Sequence, residues 1–149
     1  STRVEIRKLD WLEIHSRPLT GSTKVDETDQ FDYIFAADVI YEPLHVSWIY
    51  STVTALLRLP VNGQPQPRFH LVLPIRSTHS LETTTFETKF DPHRPIDITS
   101  TDQKHGHRLV TKRNRTFWAR DGFGAGGSEM RQYLVYEIGW ECCVGCGTA

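Results

Sequence analysis

One stretch constrains this chain more than any other: Phe31–Pro43, FDYIFAADVIYEP. Phe31, Tyr33, Ile34, Phe35, Ala36, Ala37 and Val39 form a near-continuous apolar run that leads into a polar corner. Such a run predicts a central strand of a parallel sheet, covered on both faces, better than a half-exposed alternating strand. In open α/β sheets the ligand crevice lies at the carboxyl ends of the strands. Asp38 and Tyr41 fall just past that end, where chemistry would sit. Asp38 also fits an ordinary turn residue or helix cap, because aspartate is favoured at both.

The rest of the chain sets the frame for this run. From the corner, Leu44 to Leu59 reads as a helix, with Val46, Ile49, Tyr50, Val53, Leu56 and Leu57 at three- and four-residue steps. Pro43 suits its start and Pro60 its stop. Val61–Pro67 is a loop, and Phe69–Ile75 a second buried strand. Strand, helix and strand in this order predict a right-handed parallel crossover unit. Ser77–Phe90 reads as a helix weakened by Thr83, Thr84 and Thr85. Leu109–Trp118 and Tyr133–Trp140 read as strands on either side of a glycine-rich loop, giving an antiparallel hairpin. That loop (Gly122, Gly124, Gly126 and Gly127) is followed by a strand. A nucleotide loop opens a helix instead, so a hairpin tip is the better reading. Lys112, Arg113 and Arg115 are divided between two faces by strand alternation and read as a solvated surface.

Upstream, Val4–Leu9 reads as a short strand ending at Asp10-Trp11. A carboxylate beside an indole at a strand end can hold a flat heteroaromatic ring with an exocyclic amine. A turn aspartate beside a core tryptophan is the structural alternative. His15–Gln30 is polar and reads as a loop with at most a short helix.

With 149 residues, the chain suits one domain. Seventeen basic and 18 acidic residues create no strong field toward nucleic acid or membrane. No apolar run is long enough to cross a bilayer and no signal peptide is present, which favours the cytoplasm. The first residues lack an initiator methionine and read as cut from something longer. Cys142, Cys143 and Cys146 make an odd cluster in a tail at 141–149. The tail reads as exposed and reactive in a reducing compartment, since a zinc site needs more ligands than it supplies.

Three features line up in sequence: Asp10-Trp11 after a first strand, Asp38-Val39-Ile40-Tyr41 after the next, and the ending YLVYEIGW. Together they resemble the seven-β-strand S-adenosylmethionine-dependent methyltransferases. The likeness is greatest to the protein-lysine branch, including fungal proteins labelled nicotinamide N-methyltransferase-like. The resemblance spans 1–140 and implies an α/β fold: the carboxyl-terminal portion of a Rossmann-like sheet, mostly parallel, with a C-terminal antiparallel hairpin. The family's first two strands, its Gly-rich cofactor turn and its ribose-binding acid have no counterpart here.

The resemblance further implies methyl transfer from S-adenosylmethionine to an amine, with lysine on a protein substrate as acceptor and no metal. Asp10 would meet the adenine amine and Trp11 would pack beside the ring. Ala36 and Ala37 would let the backbone approach the cofactor's methionine part. Asp38 would orient the acceptor or the cofactor, and Tyr41 would wall the acceptor channel with a ring face suited to a cationic nitrogen. Without the first strand the fourth keeps an open edge, prone to self-association. A different class of reading follows from the same gap: a non-catalytic remnant acting as a protein-interaction module through that edge. A metal- or nucleic-acid-binding domain built on the cysteines and the Arg-rich strand is the weakest alternative.

Overall fold

The computed structural model describes residues 4–16, 30–78, 80–97, 103–120 and 130–143. In chain order these form α1 (Trp11–Ser16), β1 (Tyr33–Ala37), α2 (Pro43–Leu56), β2 (Arg68–Pro74), α3 (Ser80–Lys89), β3 (His107–Arg120) and β4 (Met130–Cys142). The strands make one open four-stranded sheet in the order β1-β2-β4-β3. This is an α/β fold with a mixed sheet. β1 pairs parallel with β2, with Ala36 opposite Leu71. β4 is antiparallel to both β2 and β3. The sheet is therefore not mostly parallel: one pair of the three is, because the long hairpin returns its last strand beside β2.

α2 and α3 cover one face. Val46, Ile49, Tyr50 and Val53 of α2 and Phe86 of α3 meet Phe69, Leu71 and Leu73 of β2 and Tyr136, Ile138 and Trp140 of β4. Rings bind this layer together: Phe86 stacks on Phe90 at 4.5 Å and lies 4.8 Å from Tyr136. The Tyr50 hydroxyl accepts a hydrogen bond from the Leu109 backbone N–H at 3.2 Å. Two sets of part-buried polar contacts fix the periphery. Arg108 donates to Glu141 and to the Pro92 carbonyl, tying the segment after α3 to the hairpin. Lys104 donates to the Ala55 and Leu57 carbonyls and so caps the end of α2.

The opposite face has no described helix on it. Strand register places Tyr33 and Phe35, His70 and Val72, Val135 and Tyr133, and Phe117 there. Two expectations change as a result. β1 is an edge strand bare on one face, not a central strand covered on both: Phe35 is 74 % exposed and Tyr33 half exposed. In its apolar run Ile34 and Ala36 pack inward, while Tyr33 and Phe35 lie on the face with no described helix over it. Val4–Leu9 is not a strand. It finds no ladder partner among the described residues, and Val4 and Ile6 stand in solvent. A strand needs a neighbour to satisfy its backbone, and alternation alone supplies none.

The helix predicted over Leu44–Leu59 ends earlier, at Leu56. Leu57 turns extended and bridges to Phe31 instead. β4 runs two residues past Trp140, to Cys142. The glycine-rich loop at 121–129 and Cys146 lie outside the described residues. Cys142 is disulfide-bonded, whereas Cys143 carries a free thiol, partly buried. Burial pushes that thiol's pKa up, so it is less thiolate and less reactive than an exposed tail cysteine. No helix among the described residues is long and apolar enough to cross a membrane.

Candidate functional site at the carboxyl end of the parallel pair

β1 and β2 run side by side, so their carboxyl ends deliver their following residues to one place. Asp38 follows β1 in a left-handed backbone conformation, φ 51°. A short polar side chain tolerates that region, at a cost of about 1 kcal/mol. Its N–H still bonds the Val72 carbonyl at 2.9 Å, so the chain leaves the ladder only after this residue. The sharp turn lifts the carboxylate toward Arg76, two residues beyond β2. Arg76 Nη2 donates to Asp38 Oδ2 at 2.8 Å. Both side chains are about a third exposed or more, so the pair adds about 1 kcal/mol or less to stability. Its effect is positional.

A small crevice opens here, lined by Asp38, Ile40, Leu73, Pro74, Arg76, Glu82 and Thr83, with room for about one water at 10 Å³. Glu82 comes from the first turn of α3, where a carboxylate suits the helix dipole. Its Oε2 is buried and makes no hydrogen bond. A desolvated carboxylate oxygen without a donor is costly, and an N–H donor entering the crevice would relieve it.

Tyr41 lies on the solvent side of the corner, half exposed. Its backbone N–H donates to His45 Nδ1 at 3.3 Å. The Tyr41 and His45 rings meet edge to face at 6.4 Å, and His45 lies 5.1 Å from Trp48. Three rings thus cluster where the corner enters α2, one just before the helix and two on its first turns.

Asp10 and Trp11 are otherwise engaged. The Asp10 carboxylate accepts the Glu13 N–H at 3.1 Å and its carbonyl accepts the Ile14 N–H. Asp10 is the N-cap of α1. Trp11 packs against the core beneath α1, which itself lies along α2, with His15 bonded to Ser51 at 2.9 Å. No hydrogen bond or ring contact among the described residues joins either one to Asp38 or Tyr41. Ala36 packs inward on the core, while Ala37 is exposed at the strand's end.

Arg76, Glu82, His45 and Trp48 were not singled out from sequence. Arg76 had a usable signal: a residue just past the second parallel strand must lie beside one just past the first. Glu82 had none, because only packing brings the start of α3 over the strand ends. A larger polar groove of about 540 Å³ lies along a different stripe of α3, between Thr84, Glu87 and Asp91 and the hairpin residues Lys112 and Asn114. The bond from the Tyr136 hydroxyl to Glu87 lies in it, at 2.8 Å. Among the described residues no group of three histidine, cysteine or acidic side chains gathers as for a metal ion. No protein-family model, no curated protein and no solved structure matches this chain.

Proposed function

We propose that this chain carries the acceptor side of an N-methyltransferase site, and that the corner at Asp38 receives a lysine side chain of a protein substrate. The observation that carries the reading is the pairing of a fixed Asp38 with the donor-less Glu82 oxygen at the carboxyl end of a parallel strand pair. An amine offers the N–H donor that the buried Glu82 oxygen lacks and a further one to Asp38, and the exposed Tyr41 ring at the same corner suits a cationic nitrogen. The order strand, helix, strand, helix, antiparallel hairpin is compatible with a seven-strand S-adenosylmethionine-dependent methyltransferase.

The adenine side of such a site does not fit the same residues. Asp10 is committed to capping α1 and Trp11 to the core. The chain's own contribution is therefore to bind and orient the acceptor, with the small, exposed Ala37 leaving space at the strand end for whatever delivers the methyl group.

The test is a titration of the isotopically labelled chain with a lysine peptide, and with its norleucine counterpart, followed by NMR. Saturable shifts at Asp38, Tyr41, Arg76 and Glu82 with lysine only are expected. Asp38→Asn keeps the turn and should weaken binding about tenfold, as for loss of one charge-assisted hydrogen bond. Binding that ignores Asp38→Asn, or no binding at all, removes this reading. The bare edge and face of β1 favour a second one, an interaction module without catalysis.

A further inference from the structure

The outer edge of β1 is a short, bounded socket. In a parallel ladder alternate residues direct both backbone groups to one neighbour. Asp32 and Asp38 bond β2: the Asp32 carbonyl accepts from Arg68, and the Asp38 N–H donates to Val72. By this alternation Ile34 and Ala36 also point to β2, and the N–H and C=O groups of Tyr33, Phe35 and Ala37 point outward. Phe31 points outward as well, but Leu56 and Arg58 already take its two groups. The free stretch thus begins at Tyr33, and it closes at the left-handed turn of Asp38. No described strand lies along it.

We propose that this socket takes a second copy of the same strand, antiparallel, about a two-fold axis at Phe35. Three properties of β1 select that partner and that register. Tyr33 falls opposite the partner's Ala37, Phe35 opposite its equivalent, and Ala37 opposite the partner's Tyr33. Every outward residue then faces another outward residue, and each such pair exchanges both backbone bonds. Shape agrees: the large Tyr33 ring meets a methyl group, and the two Phe35 rings meet each other. Each Phe35 is already stacked on its own His70 at 5.1 Å and 12° between planes. The pairing makes one continuous row of rings across the bare face.

Charge agrees too. The same axis sets Asp32 opposite Asp38 of the second copy, which in isolation would repel. Each carries its own guanidinium, Arg58 on Asp32 at 2.8 Å and Arg76 on Asp38 at 2.8 Å. Two acids and two bases close each end of the ladder. The result is a two-fold, self-complementary interface and a continuous eight-stranded sheet. It does not depend on the acceptor reading above, and lysine binding and assembly fail separately.

Sedimentation equilibrium over a concentration series, with amide hydrogen exchange read by NMR, tests it. The mass should double with concentration. Protection of the Tyr33, Phe35 and Ala37 amides should rise at least about tenfold with it, while those of Ile34 and Ala36, already bonded to β2, change little. Ala37→Pro removes an outward N–H and no internal bond, so it should give a folded monomer. Phe35→Lys sets two cations on the axis and should do the same should the proline variant fail to fold. A chain that stays monomeric at all concentrations overturns the proposal. So does a dimer that survives both substitutions, or one in which the outward amides of β1 exchange freely while those of β3 are protected.

Discussion

Two buried side chains remote from the candidate site help to fix this small sheet, and each makes a measurable claim. Arg108 is 5 % exposed and is tied to Glu141 and to carbonyls of the segment after α3. Removing it by Arg108→Met strands a partly buried carboxylate and two carbonyls. The expected loss is about 3 kcal/mol in a denaturant melt. Tyr136 is governed by burial first and then by its bond to Glu87, both of which raise its pKa well above the usual phenol value. A tyrosine in the unfolded chain ionises near pH 10, roughly, while this one keeps its proton. The stability it contributes is therefore complete below about pH 10 and is lost as pH climbs toward its folded value. Desolvation lowers the ammonium pKa of Lys104 and Lys112, and these act oppositely, adding stability as pH rises toward about 10.5. The comparison that isolates Tyr136 is wild type against Tyr136→Phe. The variant should be about 1.5 kcal/mol less stable at neutral pH, and the gap should narrow above pH 10, roughly. A constant gap across that range would mean the phenol ionises normally.

Of the two helices that cover the sheet, α3 is the more weakly held. Phe86 is its buried residue, and its threonines compete with it: Thr85 and Thr88 donate back to the Leu81 and Thr84 carbonyls. Such back-bonding slightly destabilises a helix. Phe86→Ala is expected to cost 3–4 kcal/mol, roughly, and to raise exchange of α3 amides before those of β2 and β4. Because Glu82 rides on α3, the crevice at Asp38 should loosen in the same variant. α2 is better anchored despite its β-branched residues. Pro43 opens it, Lys104 closes it, and Val46, Ile49 and Val53 seat it on the sheet. These elements were legible in the sequence because their periods are local: three and four for α2, and two apolar strands around it. α1 was not. Its six residues follow a cap, Asp10, whose sequence context reads equally well as the end of a strand.

For the molecule as a whole, the contrast between its two sheet faces matters most. One face is a helix-covered core; the other, with no described helix over it, carries a row of rings and apolar side chains beside the Arg68–Glu137 ion pair. A paired substitution reads this out in dilute solution, where the chain is monomeric: Leu71→Ala on the covered face should cost about 3 kcal/mol, and Phe35→Lys on the bare one about 1 kcal/mol or less. Similar losses at both sites would mean that something else packs on β1. By itself the sequence determined the kinds and order of the elements from β1 onward, the hairpin at the end and an acid at the mouth of β1. It did so because periodicity and turn chemistry are properties of neighbouring residues. Tertiary structure alone decided that β1 lies at the edge with one face bare, that Asp10 is a cap, and that β4 enters between β2 and β3. It also decided that Asp38 meets Arg76 and Glu82. Which strand lies beside which depends on ladder partners tens of residues away, and no local pattern records it.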